Sequence, residues 1–129
     1  MIEPKAASKA EGSCEAFVFD EDRVNRARKA LLGLETSQDI AALFKMLANP
    51  TRVQILRALE DQELCVCDLA QVLDLSVSAT SHQLQTLRGA KLVRYRNEGK
   101  FAYYRVADEF VLALLQDGLG HLGCEESAS

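Results

Sequence analysis

The sequence predicts a mainly α-helical protein with one β-hairpin, arranged as a winged helix-turn-helix that dimerises through its terminal helices. Three observations carry that reading. Residues 67–73 and 77–90 are two short amphipathic segments joined by Asp74-Leu75-Ser76, the spacing of a helix-turn-helix. Directly after them, residues 92–96 and 101–106 alternate with period two around Asn97-Glu98-Gly99-Lys100, which reads as a hairpin and, in that position, a wing. Residues 108–122 then form a helix carrying Phe110, Val111, Leu112, Leu114, Leu115 and Leu119, more apolar than one small domain can cover. Such a helix pairs with a second subunit.

The other elements follow in order. Residues 1–20 are read as a flexible arm, 21–122 as the folded domain and 123–129 as a tail. Phe17 and Phe19 are spaced like an extended stretch burying one face. From about Glu21 the pattern is helical, through Val24, Ala27 and Leu31, until Gly33 breaks it. Ser37 is the expected cap of the next helix, whose stripe is Ile40, Leu43, Phe44 and Leu47. Asn49-Pro50 restarts the chain as a cap followed by proline at the first helical position. Val53, Leu56 and Leu59 give that third helix its buried face, and residues 60–63 form an acidic break.

Composition narrows the function. The chain has 129 residues, 48% of them hydrophobic, only 6% aromatic and no Trp, so the core should be aliphatic. No apolar run approaches the roughly 20 residues of a membrane span. The first twelve residues carry Glu3, Lys5, Lys9 and Glu11 without an apolar stretch, unlike a secretory signal. A cytoplasmic protein without a membrane partner is expected. The net charge of −4 hides a basic block: residues 76–105 carry Arg88, Lys91, Arg94, Arg96, Lys100 and Arg105 against Glu98 alone. That block is the electrostatic footprint of a nucleic-acid partner. On the second helix of the pair, Ser76, Ser78, Thr80, Ser81, His82, Gln83 and Gln85 are candidates for the DNA face, because Gln reads adenine and Ser or Thr reach base edges or phosphates. Arg96 and Lys100 on the wing are candidates for backbone contact. A dimer would place two such units on palindromic double-stranded DNA.

The four cysteines are Cys14, Cys65, Cys67 and Cys124. In a reducing compartment they read as metal ligands, redox groups or core filler. Thiolates select soft or borderline ions. Side chains at i and i+2 share a face in extended backbone but diverge in a helix. Cys65 and Cys67 can therefore chelate one ion only if Cys65 lies at or before the helix start.

Three stretches, Leu47-Ala48-Asn49-Pro50-Thr51-Arg52-Val53-Gln54-Ile55-Leu56, Leu64-Cys65-Val66-Cys67-Asp68-Leu69 and Ser81-His82-Gln83-Leu84, resemble the ArsR/SmtB family of winged helix-turn-helix metal-responsive repressors. Ser13-Cys14-Glu15 with Phe17, Asp20-Glu21 and Val24-Asn25-Arg26 resemble the arm of CadC-type cadmium and lead sensors. The resemblance implies a homodimeric repressor released from its operator by a metal ion. It implies Cys14, from the other subunit's arm, as third ligand beside Cys65 and Cys67. Those sensors carry a further cysteine four residues on, where this chain has Val18. A three-thiolate site suits Cd(II) or Pb(II) as effector, with Zn(II) a further candidate and arsenite an alternative. Cys124 stands open between a ligand and an idle tail thiol. The family's second site, on the dimer helices, matches this chain only at Asp108 and His121, with Phe110 at an intervening ligand position. The resemblance also places His82 on the DNA face.

Two other readings keep the fold. One is a thiol redox or persulfide-responsive repressor, and the other is a winged helix that binds protein. An enzyme is not expected: the chain has no nucleophile–base pair, phosphate loop or H-E-x-x-H.

Overall fold

The computed structural model describes residues 18–124, so Cys14 and Phe17 lie outside the described residues. The chain divides between Ser37 and Gln38 into two units. In the first, α1 (Glu21–Ala30) starts at Asp20, whose side chain accepts from the Arg23 N–H at 3.0 Å. Acidic residues fill its first turn and Arg28 and Lys29 its last, which suits the helix dipole at both ends. No residue of α1 is buried. Phe19 is exposed, against the expectation of a stretch that buries one face. The helix stops at Ala30 rather than running on to Gly33.

Helix α2 (Leu34–Leu47) also departs from the sequence reading. It starts directly after Gly33, so Ser37 lies inside its first turn and not at its cap. There the Ser37 hydroxyl donates to the Leu34 carbonyl at 2.9 Å, a local bond that competes with capping. Helix α3 (Pro50–Ala58) begins as the Asn-Pro pair demands. Asn49 Oδ1 accepts from the Arg52 N–H at 3.0 Å and Pro50 fills the first turn.

The core gathers Ile55 and Leu56 of α3 with Leu69 of α4 (Val66–Leu73), Leu84 and Leu87 of α5 (Val77–Gly89) and Val111 of α6 (Glu109–Leu122). Among the described residues it is aliphatic apart from Tyr104, Cys65 and the fully buried Thr80. Asp74 ends α4 in the left-handed conformation, and Ser76 caps α5 three residues after α4 ends. Helix α5 closes with paired bonds: Lys91 N–H to the Arg88 carbonyl at 2.9 Å and Leu92 N–H to the Leu87 carbonyl at 3.0 Å. Lys91 holds φ 65° there, where glycine is the usual residue.

The hairpin pairs β2 (Val93–Glu98) with β3 (Phe101–Val106), register Glu98↔Phe101 to Val93↔Val106. Its loop is therefore Gly99-Lys100 alone, shorter than the four-residue connection expected. Gly99 supplies φ 63° at the first loop position, as a tight hairpin turn requires. Gly99→Val should lower stability by about 1–2 kcal/mol through that backbone conformation, measured by urea unfolding. An unchanged midpoint would show that the turn relaxes. The sequence reading did not contain a third strand, β1 (Leu64–Cys65), which pairs antiparallel with β3 in the order β1-β3-β2. No described helix is long and apolar enough to cross a membrane.

Candidate functional site

The thiol pair sits where sheet and helix meet. Cys65 ends β1 opposite Tyr103 and is also the residue that caps α4, with extended backbone (φ −87°, ψ 173°). Its N–H donates to Asp68 Oδ2 at 3.2 Å, so Asp68 fixes the entry into the helix. Cys65 thus lies before the helix, as chelation requires. The two thiols are presented differently, however: Cys65 is 7% exposed, whereas Cys67 is exposed. Cys65, Cys67 and Cys124 are free thiols, and Cys124 is exposed beyond the end of α6. Among the described residues no three His, Cys, Asp or Glu side chains converge into a metal-holding group. The expected third donor, Cys14, lies outside those residues. The chemistry of the two donors present, both soft sulfurs within three residues, fits a thiophilic ion.

Asp108 and His121 are not brought together. Asp108 caps α6, its Oδ1 accepting from the Phe110 N–H at 3.0 Å. His121 lies in the last turn of the same helix, about 20 Å away along the axis. Within one protomer the two cannot share an ion.

The second helix of the helix-turn-helix, α5, presents Ser78, His82 and Gln85 to solvent. Before Arg88 it carries no Asp, Glu, Lys or Arg. Ser76 caps it, Oγ accepting from the Ala79 N–H at 3.0 Å. Thr80 corrects the sequence reading. It is 0% exposed and its hydroxyl donates to the Ser76 carbonyl at 2.9 Å, so it belongs to the core face. Ser81 is half-buried. Gln83 is half-buried too, and its Oε1 accepts from Arg52 Nε at 3.0 Å, while Arg52 also donates to the Met46 carbonyl at 3.1 Å. Gln83 thereby ties α5 to α3. Reading adenine bidentately needs both ends of the amide, and Arg52 already occupies one of the two acceptor positions of Gln83 Oε1.

On the wing, Lys100 is exposed in the loop. Arg96 is already engaged, with Nε 2.9 Å from Glu63 Oε1 and one terminal nitrogen 2.6 Å from Glu98 Oε1. Its guanidinium stacks 5.2 Å from the Tyr103 ring centre. The hydrogen bond to Glu98, then that to Glu63, raises its pKa above the ordinary arginine value. Arg105 Nε lies 4.0 Å from the other oxygen of Glu63. Sequence reasoning missed Glu63, which joins positions 33 residues apart and leaves no local signal. By contrast Arg88, Lys91 and Arg94 line an open cleft of about 560 Å³ with Val93, Tyr95, Ala107 and Asp108. Arg88 lies 4.6 Å above the Tyr95 ring.

Residues 49–95, which include α3, both helices of the pair and the start of the wing, match the family model described as bacterial regulatory protein, arsR family. The transcriptional repressor SmtB homolog of Synechocystis sp. is 39% identical over 109 residues, covering 84% of this chain and 83% of that protein. The chain belongs to the ArsR family. A second ArsR relative, the cadmium resistance transcriptional regulatory protein CadC homolog of Staphylococcus aureus, is 40% identical over 109 residues, 84% of this chain and 89% of that one. Among solved structures, the homodimeric winged helix-turn-helix DNA-binding domain (fragment 1-100) of Mb0332 from Mycobacterium bovis superposes with TM-score 0.64 at 31% identity, covering 73% of this chain and 90% of that one. The fold read from the sequence is thus that of ArsR regulators. These relatives are transcriptional regulators, not enzymes.

Proposed function

We propose that this chain is a cytoplasmic transcriptional repressor that binds palindromic operator DNA as a homodimer and leaves it when a thiophilic metal ion binds. The observation that carries the reading is Cys65 at the entrance to the first helix of the helix-turn-helix, with Cys67 exposed two residues on. Cys65 and Cys67 hold the ion together with Cys14, which the arm of residues 1–20 brings across the dimer. Cd(II) or Pb(II) is the effector, with Zn(II) next in order. When bound, the ion supplies bonds strong enough to tie that arm to the start of α4. The names of the relatives, a SmtB homolog and a cadmium resistance regulator, support a metal effector.

Helix α6 supports the dimer. Only Val111 on it is buried, while Phe110 is 49% and Leu122 is 74% exposed. Gly118 and Gly120 each cost a helix about 1 kcal/mol relative to alanine, yet a Cβ at either would meet nothing within 4 Å. Close approach of a second α6 accounts for both, and the homodimeric state of the Mb0332 domain agrees with it. The DNA contacts follow from exposure. Ser78, Ser81, His82 and Gln85 read base edges, with Gln83 held behind them by Arg52. Ser76, Lys100 and the wing arginine Arg96 meet phosphates.

The test is fluorescence anisotropy on an operator-like palindrome, titrated with Cd(II), Pb(II), Zn(II) and arsenite under reducing conditions, beside Cys14→Ser. Release by Cd(II) or Pb(II) that the variant loses is the expected result. No release by any ion would overturn the reading. If mild oxidant alone then releases DNA, the thiols act as a redox sensor instead.

A further inference from the structure

We propose that Glu63 is the positioning residue that joins the thiol pair to the wing. The inference rests on the function proposed above and concerns how the two ends of that function communicate. Three observations meet at Glu63. First, it immediately precedes β1, so its main chain is continuous with Cys65 two residues on. Second, β1 is only Leu64–Cys65, and both residues pair with β3, Leu64↔Tyr104 and Cys65↔Tyr103. Third, its carboxylate spans the wing: Oε1 is 2.9 Å from Arg96 Nε on β2, and Oε2 is 4.0 Å from Arg105 Nε on β3.

The thiol pair gives this link something to transmit. Cys65 is buried and Cys67 exposed, and on this proposal an ion that draws both sulfurs to one point shifts Cys65 from its packed position or rotates the first turn of α4. Either change moves the β1 backbone, which is too short to absorb it within itself. Glu63 follows, and a displacement of about 1 Å carries a 2.9 Å hydrogen bond beyond bonding distance. The two wing strands are then either dragged with Glu63 or released by it. In both cases the wing changes its aim.

Glu98 provides the control within the same cluster. It holds Arg96 from the other side at 2.6 Å but lies at the far end of β2, opposite Phe101 and away from β1. Removing either carboxylate unmasks positive charge on the wing. Only Glu63 is connected to the thiols.

The experiment uses the full chain and CdCl2. DNA affinity is measured by anisotropy with and without Cd(II), and binding of Cd(II) to the DNA-free protein is followed by its thiolate charge-transfer absorbance. Glu63→Gln should keep the absorbance titration, hold or raise metal-free DNA affinity about two- to fivefold, and cut the Cd(II)-induced loss of affinity at least threefold. Glu98→Gln should raise metal-free affinity similarly and leave the Cd(II) effect intact. Linkage demands that DNA weaken Cd(II) binding less in Glu63→Gln by the same factor. A Cd(II) effect of full size in Glu63→Gln overturns this proposal alone, as does an equal loss in both variants, which would make charge rather than connection the cause. No Cd(II) effect in the unsubstituted protein would overturn the proposed function, and this link with it.

Discussion

Leu84→Ala should destabilise the fold by about 3 kcal/mol, within the range for emptying a buried leucine site. Leu84 has no exposed surface and lies on the inner side of α5 against the core that includes Ile55, Leu56, Leu69 and Val111. Its loss opens a void between α5 and its neighbours, and domains of this size have only about 5–15 kcal/mol to lose. Urea unfolding should show a lower midpoint with an unchanged slope. Gln85→Ala, one residue along and exposed, should shift stability by less than about 0.5 kcal/mol. Equal effects at the two positions would refute the inward orientation of this face. Because α5 is also the proposed reading helix, Leu84→Ala should weaken DNA binding at temperatures where part of the protein is unfolded.

Cys67→Ser carries the largest functional effect expected. Release of DNA by Cd(II) should be abolished, a loss of whatever coupling the native protein has, typically about 5- to 150-fold in affinity. The free energies of metal-free DNA binding and of unfolding should stay within about 0.5 kcal/mol of the starting values, because the side chain is exposed and has no packing to lose. Cys65→Ser is the less clean variant. Cys65 is buried, caps α4 and pairs with Tyr103, so a hydroxyl there changes helix entry and core polarity together. Persistence of Cd(II) release in Cys67→Ser would remove Cys67 from the ligand set and with it the Cys-x-Cys basis of the proposal.

The parts legible in the sequence are those set by local chemistry. Asn49-Pro50 starts a helix because its side-chain oxygen and its proline ring each solve a problem of the first turn, and the structure shows both. The turn at Asp74-Leu75-Ser76 and the alternating hairpin strands were equally readable, since spacing and period suffice. Strand β1 was not readable. Two residues have no period, and Leu64 and Cys65 are a strand only because Tyr103 and Tyr104, some forty positions on, lie beside them. Glu63 was hidden for the same reason. Thr80 was misread in another way. Its hydroxyl suggested the DNA face, but positions 80, 84 and 87 form one helical stripe, and the leucines at 84 and 87 mark that stripe as inward. Residue type outweighed geometry where geometry was decisive.

The absence of any charged side chain on α5 before Arg88 has a consequence for selectivity. On the proposed reading, discrimination between operator and random duplex is vested in neutral hydroxyls, an imidazole and amides, while the grip common to all duplexes is vested in arginines and lysines elsewhere. Ionic strength acts on the grip. Added salt should therefore shorten residence on every duplex by nearly the same factor and leave the ranking of sequences, and the ratios between them, almost untouched.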